Sequence, residues 1–167
     1  MRDMGYTKKR VLSVASRAVE LGLDMPSGVA ILPSNFDTVT PGEDLHFTNS
    51  ALTVTKLLRS NGIDAARVGL DTKNVAYVHN RSAEWIVPVI FFGAEFIKQS
   101  PDLIGASLNV IQDYLKSFFG GSGSEKIEAD VIVEYGKSGN CERISYKGDV
   151  EGLQAFAKVV AAASRKK

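Results

Sequence analysis

The chain has one cysteine in 167 residues, Cys141. That excludes an intrachain disulfide and any metal site built from several thiolates. It fits a reducing compartment, and the expected location is the cytoplasm. Histidine is almost as scarce, with only His46 and His79 present. There is no His-Glu-x-x-His helix, no Gly-x-Ser-x-Gly turn and no dinucleotide-binding glycine fingerprint. Neither sign of charge dominates. A formal net charge of +1 gives no electrostatic footprint for nucleic acid. Long apolar runs are missing too, because Glu95, Lys98 and Asp102 break the greasiest stretch. No uncharged window reaches the roughly 18 residues of a membrane-spanning helix. Near the N-terminus, Arg17 and Glu20 interrupt the apolar residues that follow Lys8-Lys9-Arg10. No signal-peptide core is expected there.

What is present is an ordinary globular composition, 44% hydrophobic and 23% charged, enough for one domain with a sizeable core. Its centre is the stretch from Glu84 to Gly120, which holds the only Trp and five of the eight Phe. Each of its two prolines suits the first position of a helix, where a fixed φ helps and no N–H is needed. The reading is a helix from about Pro88 to Gln99 and a second from Pro101 to Phe119. A strand over Ile86–Phe92 is the rival reading of the first, since periodicity cannot settle a short continuous apolar run. In the second helix, Ile104, Leu108, Ile111 and Leu115 share an apolar arc, and Asn109, Gln112, Asp113 and Lys116 a polar one.

Before this stretch, a helix is expected from Thr7 to about Leu21, ended by Gly22. A short buried strand follows at Gly28–Leu32. The polar segment from Asp37 to Phe47 reads as a long loop, the kind that often carries function. A helix then runs to about Ser60, and Ala66–Leu70 with Val75–Asn80 read as an antiparallel hairpin. After the central helices, residues 121–125 have the Gly/Ser composition of a joint. Beyond it, Ile127, Ala129, Val131, Val133 and Tyr135 alternate with Glu128, Asp130 and Glu134, the pattern of a strand with one buried and one wet face. A second strand, Cys141–Lys147, and a helix with the stripe Val150, Leu153, Phe156, Ala157 and Val160 complete a ββα unit.

The expected fold is therefore α/β or α+β: a mixed sheet of about five strands with helices packed on it. The order is α-β-α-β-β-α-α, then β-β-α. Residues 1–120 form the main unit, 121–125 the joint, and 126–167 a ββα unit packed on the same core.

Candidate chemistry is sparse. Gly136-Lys137-Ser138 follows a strand like a phosphate loop, but the first glycine of that motif is missing and a strand follows it, so it reads as a turn. His46, His79, Asp44 and Arg81 could supply a base, an orienting acid and a cation if folding joined them. No close-spaced ligand pair argues for a metal, and no motif implies a cofactor. The leading expectation is a non-enzymatic interaction or accessory module. It would offer an apolar surface, with Trp85, Phe91, Phe92 and Phe96 as candidates, or a sheet edge. The partner would be another protein or a second copy of the chain, with neither nucleic acid nor a stable membrane span involved. Two alternatives stand beside it: a small hydrolase or transferase using the 37–46 loop with His79 and Arg81, and a membrane-active hairpin of the two central helices.

Overall fold

The computed structural model describes residues 5–26, 28–69, 75–78, 85–121, 123, 125–135 and 139–165. Among them are nine strands and five α-helices. In chain order these are β1 (Tyr6–Val11), α1 (Val14–Leu21), β2 (Val29–Leu32), β3 (Leu45–Thr48), α2 (Ala51–Ser60), β4 (Ala65–Arg67), β5 (Val75–Val78), β6 (Trp85–Ile86), β7 (Val89–Phe92), α3 (Ala94–Gln99), α4 (Leu103–Phe118), β8 (Lys126–Tyr135), β9 (Asn140–Asp149) and α5 (Leu153–Ser164). The fold is mixed α/β. Seven strands make one sheet in the order β1-β9-β8-β7-β2-β4, with β6 also paired to β8, while β3 and β5 form a small separate sheet.

The sheet is built around β8 and β7, which run parallel with Ile90, Phe91 and Phe92 beside Val131, Ile132 and Val133. The long β8–β9 hairpin is antiparallel from Lys126↔Asp149 to Tyr135↔Asn140. Side chains alternate between faces, so register sorts the core into two layers. Ile90, Phe92, Val131, Val133 and Ile144 share one face. There α5 packs through Phe156, which stacks on Tyr146 with centroids 5.2 Å apart. Helix α4 packs on α5 and on α2. The opposite face carries Phe91, Ile132 and Cys141, with α1 and the 33–44 segment laid over it.

Several sequence expectations give way here. The helix expected from Thr7 is a strand up to Val11, paired along its length with β9. Three basic residues would have opposed the positive end of a helix dipole; on an edge strand they stay in water. The helix begins only at Val14, where the Ser13 hydroxyl accepts the Ser16 N–H at 3.2 Å. The segment opened by Pro88 is also a strand. Proline sits just before β7, between it and β6, where no ladder bond needs its missing N–H. All four β7 residues are buried, and burial on both faces explains the unbroken apolar run. Only the short α3 follows. The expected hairpin at 66–80 does not form: β4 runs parallel to β2, and β5 parallel to β3. The end of the supposed 37–47 loop is strand β3.

The wet face of β8 is largely covered. Ile132 is 1% exposed, and Glu128, Asp130 and Glu134 are half-buried. On α4 the residue that breaks the polar arc is Gln112, buried, donating to the Val150 and Glu151 carbonyls at 3.0 and 3.1 Å. Those carbonyls belong to a 3-10 turn leading into α5, so Gln112 ties α4 to the start of that helix and satisfies the carbonyl of the buried Val150. Asp149 caps the same turn by accepting the Gly152 N–H at 2.9 Å. The described residues of 121–125 are tied down as well: the Gly123 and Glu125 carbonyls accept N–H groups of Glu151 and Val150.

Two arginines hold the 33–44 segment on the sheet. Phe36 and Val39 plug it into the core. The Arg17 Nε donates to the Phe36 carbonyl at 2.9 Å, and a second guanidinium nitrogen donates to the Val39 carbonyl. Arg143 on β9 pairs with Asp130 across the hairpin at 3.3 Å and with Asp37 of the segment at 3.1 Å. The Ser145 hydroxyl donates to Asp130 as well.

Candidate functional site

The His46 group is only partly described. His46 lies on β3 with its side chain exposed. Its N–H donates to Asn35 Oδ1 at 2.9 Å, and its carbonyl accepts from Ser34. Asp44 is exposed too, and its carbonyl accepts from Asn35 Nδ2 at 3.1 Å. These are backbone bonds that fasten one strand to the 33–44 segment. Neither the His46 imidazole nor the Asp44 carboxylate bonds to a described residue. His79 and Arg81 lie outside the described residues, as does Gly136-Lys137-Ser138. Among the described residues no cluster of His, Cys, Asp and Glu could hold a metal.

The four candidate contact residues part company. Phe91 and Phe92 are 4% and 0% exposed, so they serve the sheet core and offer nothing to a partner. Being central in the sheet, β7 turns one ring to each side and leaves neither free. Phe96 is half-buried on α3. Trp85 is half-buried on β6 and begins a line of aromatic rings that packs against the core and reaches the surface at Phe118. Its ring lies 6.5 Å from Tyr114, Tyr114 stacks on Phe118 at 5.9 Å, and Phe118 meets Phe119 edge-on at 5.0 Å. Tyr114 and Phe118 are one helical turn apart at the end of α4, which aligns them. Phe118 is 57% exposed. In sequence Phe118 continues the spacing of Ile104, Ile111 and Leu115, so nothing local marked it as exposed.

The sheet edges are less inviting. β1 forms one edge, and its Lys8-Lys9-Arg10 run is exposed, the charged blunting that discourages strand addition. β4, at the other edge, is three residues long.

A cleft of about 620 Å³ opens beside the ends of β7 and β8, where α3 and the end of α5 form its walls. Glu134 anchors it, with Oε1 accepting the Ala94 N–H at 2.9 Å. Cys141 lies fully buried near Glu134, and burial pushes its thiol up to about 11, with Glu134's charge adding to the rise. A thiol held in that state is a poor nucleophile.

Comparison with protein-family models, curated proteins and solved structures returned no match. No described helix is long and apolar enough to cross a membrane. The two long arms of the supposed membrane-active hairpin reduce to one, α4, since β7 is locked into the sheet.

Proposed function

We propose that this chain is a non-enzymatic interaction module of the cytoplasm that self-associates through the strip Trp85–Tyr114–Phe118–Phe119. The observation that carries the reading is Phe118, 57% exposed and flanked by the rings of Tyr114 and Phe119. Aromatic side chains bury large areas at small cost in side-chain entropy, which suits them to interface cores. A strip of rings is also self-complementary, as a two-fold interface requires. The blunted β1 edge favours the aromatic strip over strand addition. A lone buried thiol fits a reducing compartment. The test is sedimentation equilibrium across a concentration series, on the wild type and on Phe118→Asp. The reading expects a concentration-dependent dimer that the substitution abolishes while the fold survives. A wild type that stays monomeric throughout defeats it.

A further inference from the structure

We propose that the corner where β1 passes into α1 docks on an anionic phospholipid surface. The proposal is independent of the aromatic strip and rests on two aliphatic side chains left in water beside a basic edge. Leu12 is 74% exposed and Val19 80%, more than any other large apolar residue among those described. Leu12 lines a groove on α1 with Ser13, Ser16, Arg17 and Glu20. Val19 stands one turn beyond Ala15 and Ser16, at helical spacings of four and three. Ala15 and Ser16 are exposed as well, so Leu12, Ala15, Ser16 and Val19 present an uncharged outer face. The face that the fold buries is the opposite one, Val14, Ala18 and Leu21. Core packing thus explains those three residues and leaves Leu12 and Val19 unexplained.

Charge says what covers that face. Lys8, Lys9 and Arg10 lead straight to Leu12, and all three are exposed on the edge strand. Lys9 lies on the α1 side of the sheet, since it shares a face with Val11, which is level with Cys141. Two acids stand near. Glu20 is bonded to Arg17 at 3.3 Å, and Glu142 is level with Arg10 in the ladder and offsets its charge. Lys8 and Lys9 therefore carry the excess. A lipid interface meets both halves of this surface: anionic headgroups attract the ammonium groups, and the boundary with the acyl chains takes up aliphatic side chains. Nucleic acid would meet the charge alone. Single strands are held by stacking on aromatic rings, and the exposed residues of this corner include none, because Tyr6 is turned onto Tyr146 and Phe156.

The test is co-sedimentation of the full chain with vesicles of equimolar phosphatidylglycerol and phosphatidylcholine, beside vesicles of phosphatidylcholine alone. Binding is expected on the anionic vesicles at low salt, weakening as salt screens the charges. Joint Lys8→Gln and Lys9→Gln substitution is expected to weaken it about tenfold or more. Leu12→Ser and Val19→Ser, at exposed positions that leave the core intact, are each expected to weaken it about five- to tenfold. Circular dichroism confirms that the variants fold; if the lysine variant does not, the salt dependence of the wild type carries the charge half of the test. No binding to anionic vesicles at low salt overturns the proposal, as does equal binding to phosphatidylcholine alone. Binding indifferent to Leu12→Ser and Val19→Ser is adsorption by charge and overturns it as well. Displacement from the vesicles by a single-stranded oligonucleotide assigns the basic edge to nucleic acid instead. A dimer that Leu12→Ser or Val19→Ser breaks without vesicles assigns the face to a second copy, and either result overturns the proposal.

Discussion

Arg17→Met should unfasten the 33–44 segment from the sheet. The Arg17 side chain is 10% exposed and spends its guanidinium on two backbone carbonyls, Phe36 at 2.9 Å and Val39, and on Glu20 at 3.3 Å. Charge-assisted hydrogen bonds contribute about 1.5–3 kcal/mol each. Two of them set an upper bound of roughly 6 kcal/mol, from which rehydration of the freed carbonyls and the apolar bulk of methionine subtract. The expected loss is about 2–4 kcal/mol, or a fall in Tm of about 5–15 °C for a chain of this size. Glu20 is 61% exposed, and a surface pair of that kind contributes at most about 0.5 kcal/mol. Glu20→Gln is therefore the control. Urea unfolding gives the global value. Hydrogen exchange gives the local one, because the Val39 N–H bonded to the Asn35 carbonyl at 2.8 Å should lose protection before the β8–β9 hairpin does. If Arg17→Met lies within about 0.5 kcal/mol of Glu20→Gln, the arginine is not what holds the segment.

Other substitutions probe separate parts of the same account. Arg143→Gln breaks the ties to Asp130 and Asp37, whose carboxylates are 31% and 46% exposed; solvent screening keeps the expected cost near 1 kcal/mol, smaller in high salt. Tyr146 donates to the Asp149 carbonyl at 2.7 Å, and its hydroxyl occupies the space a methyl group on Gly152 would need, so Gly152→Ala should cost roughly 1–3 kcal/mol by urea unfolding and Tyr146→Phe less. Burial raises Cys141 from 9.0 to about 11 and Tyr146 from 10.0 to about 12. Their neutral forms favour the fold, so this stability is intact below pH 9 and falls as pH rises through 9 to 12, by at most about 1.4 kcal/mol per pH unit for each proton. Cys141→Ala should flatten the lower part of that decline, and the native thiol should resist alkylation at pH 8 until denaturant is added.

Where a single physical signal dominated, the sequence was readable. The alternation at 127–135 marked β8, the stripe of Val150, Leu153, Phe156 and Val160 marked α5, and the apolar row of α4 marked the longest helix. The misreadings fall where tertiary pairing overrides local pattern. Nothing near Lys8-Lys9-Arg10 announces that β9 lies alongside, and only that pairing makes it a strand. Pro88 suits the start of a helix or the start of a strand equally well, and the neighbours β2 and β8 decide. Long-range register also separates β4 from β5, which look like hairpin partners in sequence. At the surface, composition alone could not distinguish core aromatics from exposed ones. Phe91 and Phe92 went inward with β7, whereas Phe118 lies one turn past the buried row of α4 and stays out. Arg17, Arg143 and Gln112 carried no signal, because, Glu20 apart, their partners lie 13 to 106 residues away in sequence.

The proposed self-association surface runs along the rings from Trp85 to Phe119. Sedimentation equilibrium of the wild type beside Phe118→Asp tests it most directly, with circular dichroism confirming that both are folded. A reversible dimer is expected for the wild type and a monomer for the variant. A folded wild type that remains monomeric at the highest concentration reached, or a dimer indifferent to Phe118→Asp, contradicts it.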